Sequence, residues 1–282
     1  MLVLPYARQN AQKSSERRNK TMEPWRKNFT FAIPIAPKLD AAQWDNLQEL
    51  LAGTLRSLLN QSEPGFLVLI AGHERPEVLD SFPDPRIVFV PVTHRKPTSD
   101  KDKRRDKSRK RWAIAVDVRQ RGGGYFMYLD ADDYVHRDLV RHVLGDDNGA
   151  GYFIPEGLVL DYRNRTVAPV PGVWDLPFNE VCGSSGIVCF APDDLPKRPY
   201  PRQFFRFGLF FRVQNHHFFQ DGMVRGRPLT PMPFRAAVYS VNNGLNLSNV
   251  LVRNAERQQK LIALIKKKQI PLTAEMAAEY GL

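Results

Sequence analysis

The sequence has 282 residues, of which 43% are hydrophobic and 11% aromatic, enough for a substantial apolar core. Its formal net charge is +11, but segments 1–27, 95–111 and 253–268 carry +5, +7 and +5, so the rest of the chain carries 11 − 17 = −6. A nucleic-acid binder spreads its bases over a folded face, so this distribution argues against nucleic acid as a partner. It favours local handling of an anion or peripheral contact with an anionic surface.

Three features bear on location. No apolar run approaches the ~20 residues of a transmembrane helix, and the opening MLVLPYARQN has too short an apolar core for a secretory signal. Cys182 and Cys189 provide neither a disulfide framework nor the spacing of a zinc site. We therefore expect a cytoplasmic protein. Residues 1–27 are polar and lack helical periodicity, so we expect a flexible basic arm, or an upstream extension if Met22 is the true start.

The first half of the chain alternates apolar strands with helices. Continuous apolar runs, typical of strands buried on both faces, occur at residues 29–36, 66–71, 86–92 and 125–130. Helical spacing of apolar residues predicts helices over 44–61, with Asp40 as its cap, and over about 107–120. The order predicts an α/β fold with a mainly parallel sheet. We expect the basic run 95–111 to be a solvated loop whose last residues alone approach a ligand.

The second half is less regular. Strands are expected over 151–161, 181–190 and 236–241, an aromatic-rich helix over 203–220, and a final helix over about 254–268. These segments predict a mixed half that follows the parallel sheet.

The stretch YFMYLDADD, residues 125–133, ends an apolar strand in clustered acids. One residue separates Asp130 from Asp132, so the alternation of side chains along a strand places both on the same side. Such carboxylates repel one another unless a cation lies between them, and their hard oxygens suit Mg²⁺ or Mn²⁺, which also take phosphate oxygens. Ligands of parallel sheets bind beyond the carboxyl ends of strands, where Gly72-His73-Glu74 also falls. The pattern predicts a divalent metal with a nucleotide diphosphate; the alternative is an acidic cap on a helix over 134–145.

These features together resemble the GT-A glycosyltransferases of the family-2 type. The resemblance is carried by Ala32-Ile33-Pro34, the helix ending SLLNQ, the strand ending in polar residues, the basic helix and YLDADD. It is strong over about 29–145 and continues in order to about 250. It implies a Rossmann-like GT-A domain and a C-terminal helical extension, with these bounds: nucleotide-sugar-binding half 28–145, acceptor half 146–252, extension 253–282.

The resemblance also implies roles for individual residues. Asp132 would ligate the metal, Asp130 would contact the metal and the ribose or sugar, and Asp133 would support the loop or the sugar. Pro34, Ile35 and Glu74 would line the base and ribose pocket. Lys107, Lys110 or Arg111 would reach toward nucleotide or phosphate.

The family carries an acidic base at a helix start after the acceptor region. Phe219-Gln220-Asp221 stands in that order here, with Gln in place of the first acid, so Asp221 is the candidate base. Asp175, Glu180 and His217 are the alternatives.

Some relatives complete the metal site with a histidine, where this chain has Asn242-Asn243. The third ligand is then Asn243, one of His216 and His217, or water and phosphate alone.

The resemblance implies a metal-dependent, inverting transfer of sugar from a UDP- or GDP-linked donor to a hydroxyl of a glycan or lipid-linked acceptor, in surface glycan synthesis. The acceptor would contact Trp174, residues 183–186 and the aromatic stretch 204–211. The basic C-terminal helix allows peripheral contact with the inner face of a membrane.

Two further functions are considered. A sugar-phosphate nucleotidyltransferase shares the fold style, but it requires a Gly-rich loop with Arg and Lys after the first strand, where this chain has APKLDAAQW with Lys38 alone. A catalytically inactive GT-A protein that only binds its ligand is the other, and the departures at Gln220 and Asn243 favour it.

Overall fold

The computed structural model describes residues 28–146, 148–199, 223–224, 227–245 and 255–282. The strands in these ranges are Phe29–Pro34 (β1), Phe66–Gly72 (β2), Ile87–Pro91 (β3), Gly124–Tyr128 (β4), Tyr134–Val135 (β5), Gly151–Phe153 (β6), Gly157–Asp161 (β7), Thr166–Val170 (β8), Gly186–Phe190 (β9), Met223–Val224 (β10), Arg227–Pro228 (β11), Thr230–Pro231 (β12) and Ala237–Val241 (β13). The α-helices are Ala41–Leu59 (α1), Asp100–Gln120 (α2), Leu139–Asp146 (α3), Phe178–Val181 (α4), Ala255–Lys267 (α5) and Ala274–Tyr280 (α6). Short 3-10 helices span Glu77–Ser81 and Pro192–Asp194. Within the described ranges, no helix combines the length and apolar character needed to cross a bilayer.

A seven-stranded sheet in the order β12-β6-β9-β4-β1-β2-β3 forms the centre of the molecule. Strands β4, β1, β2 and β3 are parallel, whereas β9 runs antiparallel to its neighbours β4 and β6. A second sheet of four strands has the order β5-β13-β7-β8. The predicted α/β fold, with a mainly parallel sheet flanked by helices, is confirmed.

The central strands are apolar throughout because both faces of the sheet are covered. In β1, Phe31 and Ile33 pack in the same apolar cluster as Leu51 of α1, while Ala32, between them, packs on the opposite face with Trp112 of α2. Alternation of side chains along a strand produces this division. The predicted cap of α1 is present, since Asp40 Oδ1 accepts a hydrogen bond from the backbone N–H of Gln43 at 2.9 Å.

Helix α2 begins earlier than the sequence predicted. The basic run was expected to be a solvated loop, but it is helical from Asp100 onward. Ser99 caps the helix, with its Oγ accepting from the backbone N–H of Asp102 at 3.2 Å. Asp106 and Lys110, which are one helical turn apart in α2, form a buried ion pair. Polar interactions therefore stabilise the first turns of α2, where apolar residues do not recur at helical spacing.

The structure differs from the sequence prediction in four places from residue 134 onward. The run 151–161 forms two strands, and these lie in different sheets: β6 pairs with β9, and β7 pairs with β8 and β13. Strand β8 was not predicted, and the run 181–190 is a strand only from Gly186. The helix expected over 134–145 begins at Leu139. The acidic residues therefore do not cap it.

The C-terminal residues pack on the body of the protein. The carbonyl oxygen of Glu279 accepts from the backbone N–H of Arg137 at 2.8 Å, and that of Ala278 accepts from Asn60 Nδ2 at 2.7 Å. Tyr280 is buried in an apolar cluster with residues of the second sheet. Helix α6 therefore joins α1 to the second sheet.

Gly151 is expected to tolerate no side chain. Its φ is +117°, and an added Cβ would lie 2.1 Å from the carbonyl oxygen of Ile187 in the neighbouring strand. We predict that Gly151→Ala lowers the free energy of unfolding by roughly 2 kcal/mol or more. Gly145, in α3, has open space around its added Cβ, so Gly145→Ala should leave stability unchanged or raise it by roughly 0.5–1 kcal/mol. Urea unfolding of both variants measures this, and equal stabilities would contradict the β6–β9 register.

Candidate functional site

The carboxyl ends of the four parallel strands lie along one edge of the central sheet. Ile35, His73, His94 and Asp130 follow β1, β2, β3 and β4 along the chain, so the strand ends bring them to the same edge. The N-terminal half of α2 lies against this edge, because its side chains reach both Asp130 and the carbonyl oxygen of Ile35. This edge and this half-helix form the candidate site.

Asp130 is paired with a lysine of α2. Lys107 Nζ lies 2.6 Å from Asp130 Oδ1, and the two side chains are 26% and 31% exposed, so the pair faces solvent. The backbone N–H of Asp130 donates to Ser184 Oγ at 3.0 Å. Residues 130–133 are called the acidic loop, and among the described residues the cation that lies against it at Asp130 is a lysine.

Asp132 is held by an amide. Asn243 Nδ2 donates to Asp132 Oδ2 at 2.6 Å, while Asn243 Oδ1 accepts from the backbone N–H of Leu245 at 3.0 Å. The amide thus presents its nitrogen to the carboxylate, and its oxygen is engaged elsewhere. Burial and the charge of Asp130 raise the pKa of Asp132 to about 6, despite the hydrogen bond from Asn243.

Asp133 points into the protein. It is 1% exposed, and its carboxylate accepts from the backbone N–H of Ser240 at 3.0 Å and from Ser184 Oγ at 2.5 Å. Burial raises its pKa well above the usual range, and the neighbouring aspartates raise it further. Asp133 therefore ties the acidic loop to β13 and to the segment before β9.

The acidic loop has the donor set of a hard divalent cation. Asp130 and Asp132 are half-buried residues. Burial and, after it, repulsion from Asp130 raise the pKa of Asp132, and positive charge would relieve the repulsion. Within the described ranges, the three aspartates do not converge as three metal-ligating atoms. A cation bound here would thus take its remaining ligands from water and phosphate, as Mg²⁺ and Mn²⁺ do.

Glu74 and the end of β1 line the same edge but engage the protein itself. Glu74 Oε2 accepts from the backbone N–H of Lys38 at 3.0 Å, and Glu74 pairs with Lys96. Burial raises the pKa of Glu74, but the contacts with Lys96 and Lys38 outweigh burial, and the pKa lies below its usual value. Pro34 and Ile35 are buried.

The three predicted basic residues of α2 have different surroundings. Lys110 is fully buried, where it pairs with Asp106 and donates to the carbonyl oxygen of Ile35 at 2.9 Å. The Arg111 guanidinium lies 4.4 Å from the ring centre of Tyr128 and is 8% exposed. Lys107 is therefore the member of the three with a partly exposed side chain.

A buried cluster at this edge escaped the sequence analysis. His73 and His94 both contact Asp106 Oδ1, at 2.8 and 2.7 Å. Burial raises the pKa of Asp106, but Lys110 and the two histidines outweigh burial and leave the pKa below its usual value. Burial also lowers the pKa of Lys110. The signal available in the sequence was one histidine soon after each of two parallel strands, together with an acid in the helix that follows.

The expected catalytic and acceptor residues are only partly described. Asp221, His216, His217 and the stretch 204–211 lie outside the described residues. Of the other expected residues, Trp174 is half-buried, Asp175 is exposed, Glu180 is half-buried in α4, and Ser184 in the stretch 183–186 contacts the acidic loop.

No family model and no curated protein sequence matches this chain. Among solved structures, the chain is similar to the apo form of the glycosyltransferase GlyE of Streptococcus pneumoniae TIGR4, with a TM-score of 0.36 and 10% sequence identity. The similarity covers 87% of this chain and 52% of that chain, so this chain spans about half the length of that protein.

The raised pKa of Asp132 predicts that its charge destabilises the metal-free protein. A carboxyl group whose folded pKa exceeds its unfolded value of 3.8 binds its proton more tightly in the folded state. The contribution of Asp132 to the stability of the protein should therefore fall as the pH rises from about 4 to 6. We predict that Asp132→Asn raises Tm by roughly 2–6 °C at pH 7.5 in the presence of EDTA, and that the difference vanishes near pH 4. A variant that is less stable than the wild type at pH 7.5 would contradict this electrostatic account.

Proposed function

We propose that this protein is a metal-dependent, inverting glycosyltransferase that moves a sugar from a nucleoside-diphosphate sugar to a hydroxyl group of a glycan or lipid-linked acceptor. The observation that carries the proposal is the acidic loop at the carboxyl edge of four parallel strands, with Lys107 against Asp130. A bound nucleoside diphosphate needs positive charge around its phosphates. The carboxylates can hold a divalent cation that supplies part of this charge, and the lysine supplies the rest.

Asp130 and Asp132 would hold the Mn²⁺ or Mg²⁺ ion, whose charge stabilises the departing nucleoside diphosphate when bound. Lys107 would exchange its partner, leaving Asp130 for a phosphate oxygen. This exchange is favourable because the ammonium of Lys107 gains the phosphate as its counter-charge, while the carboxylate of Asp130 gains the metal ion. Asp133 would fix the loop through Ser184 and Ser240.

The remaining roles rest on the sequence resemblance. Asp221 would accept the proton of the attacking hydroxyl group, and one in-line displacement would invert the anomeric centre. The donor would be UDP- or GDP-linked, with Pro34, Ile35 and Glu74 near its nucleoside. The product would enter a surface glycan, made at the cytoplasmic face of a membrane.

Asn243 favours a second candidate function, a protein of the same type that binds the donor without transferring sugar. Its amide nitrogen, rather than an oxygen or imidazole ligand, faces Asp132. A bound metal would then have fewer protein ligands than a transferase that uses a histidine at this position.

The test is donor binding by the wild type and by Asp132→Asn. The protein is screened by thermal shift against UDP, GDP, CDP and TDP and their sugars, each with Mn²⁺ or with EDTA. We expect one nucleotide to raise Tm only when Mn²⁺ is present, because a ligand that binds the folded state alone stabilises it. Asp132→Asn should abolish this shift, and its predicted higher intrinsic stability separates lost binding from misfolding.

Gly145→Ala is the matched control, because it lies in α3 and leaves the loop untouched; its nucleotide shift should equal that of the wild type. Asp221→Asn should keep the nucleotide shift and lose transfer to an acceptor, whereas the binding-only candidate predicts no transfer by the wild type. A shift that is the same in Asp132→Asn and the wild type would overturn the metal assignment.

A further inference from the structure

Two imidazole rings and one carboxylate meet at the same edge, beside α2. The Nε2 atoms of His73 and His94 lie 2.8 and 2.7 Å from Asp106 Oδ1, and the three atoms all lie within 4.8 Å of one another. Their side chains are 5%, 10% and 6% exposed, respectively. The three residues follow β2, follow β3 and lie in α2, so only the folded chain brings them together.

We propose that His73, His94 and Asp106 bind a divalent transition-metal ion, for which Zn²⁺ is the best-fitting choice. Imidazole nitrogen suits Zn²⁺ and its neighbours in the first transition row, whereas carboxylate, carbonyl and water oxygens are the ligands that best suit Mg²⁺ and Mn²⁺. The site therefore differs in metal preference from the acidic loop. Three protein ligands leave one position of a tetrahedral ion for water or another oxygen.

The geometry requires a small adjustment to hold the ion. Ligand atoms about 2.0–2.2 Å from a tetrahedral Zn²⁺ ion are about 3.3–3.6 Å apart, whereas the two nitrogen–oxygen distances here are 2.8 and 2.7 Å. Asp106 Oδ1 would move about 0.5–0.9 Å away from each Nε2 atom, and the three ligand atoms already lie within 4.8 Å of one another. The two rings are inclined at 65° with centroids 4.7 Å apart, so they approach Asp106 from different directions. In this arrangement both Nε2 atoms can bind one ion without the two rings stacking on each other.

Lys110 orients the carboxylate for this role. Its ammonium pairs with Asp106 Oδ2 and donates to the carbonyl oxygen of Ile35, so Oδ1 is the oxygen that faces both histidines. Hydrogen bonds to the second oxygen of a ligating carboxylate fix its direction and support metal affinity. A bound ion would join α2 to the ends of β2 and β3, and so hold the helix that carries Lys107.

The experiment uses the full chain, freed of metal with EDTA and dialysed. ZnCl₂ is titrated by calorimetry and in competition with a chromogenic zinc chelator, and CoCl₂ is added in parallel to record visible absorption. We expect one saturable Zn²⁺ ion of micromolar or tighter Kd that raises Tm, and a Co²⁺ spectrum of nitrogen–oxygen ligation. His73→Gln and His94→Gln should each weaken Zn²⁺ binding at least tenfold, and the double variant should abolish this binding.

The matched control is His142→Gln. His142 lies on α3, where its ring contacts Tyr152 and Phe234 rather than the cluster, so its loss should leave the Zn²⁺ affinity unchanged. Wild-type protein that binds no more Zn²⁺ than the double variant would overturn the proposal and leave the histidines as hydrogen-bond donors to Asp106. Asp132→Asn should keep this Zn²⁺ ion, so the outcome is independent of the proposed transferase function.

Discussion

The repulsion among three carboxylates at the end of β4 is the constraint around which this edge of the molecule is arranged. Each carboxylate is offset by a group from a different part of the chain: Lys107 of α2 for Asp130, Asn243 after β13 for Asp132, and Ser184 before β9 for Asp133. The loop therefore connects the parallel sheet, the second sheet and α2. The compensation is incomplete, because the pKa of Asp132 stays above its usual value. A cation bound at the loop would relieve the part of this shift that comes from Asp130.

Helix α2 supplies positive charge to this edge, and its position depends on buried polar contacts. The pair Asp106–Lys110 is enclosed, and it is linked to the end of β1 through the carbonyl oxygen of Ile35. A buried ion pair is stable only when its remaining hydrogen-bonding capacity is met. His73 and His94 meet it on the other side of Asp106. This polar anchor holds the helix at a register in which Lys107 reaches Asp130.

The parallel half of the fold could be predicted from the sequence, because continuous apolar runs such as FLVLIA and helical spacing such as Trp44 to Leu58 report directly on burial. The acidic end of β4 could be predicted for the same reason. The early start of α2 could not, since Ser99 and the Asp106–Lys110 pair stabilise it without apolar periodicity. The division of 151–161 between two sheets was missed, although Pro155-Glu156-Gly157 marks a turn between the strands. A turn does not show which sheet each strand joins.

The site was predictable in its charges but not in its contacts. An alternation argument identifies Asp130 and Asp132, but only the fold shows that Lys107 and Asn243 are their partners. The meeting of His73, His94 and Asp106 depends on the order of strands across the sheet, which local patterns do not contain. Asp221 stays a prediction because it lies outside the described residues.

The most direct test of the account is the location of a bound Mn²⁺ ion. Crystals soaked with MnCl₂ and the nucleoside diphosphate that gives the largest thermal shift would be measured above and below the manganese absorption edge. The account predicts an anomalous peak within about 2.5 Å of a carboxylate oxygen of Asp130 or Asp132, with the diphosphate against it and the ammonium of Lys107 turned toward phosphate. A nucleotide bound elsewhere, or manganese bound away from both carboxylates, would contradict the acidic loop as the donor site.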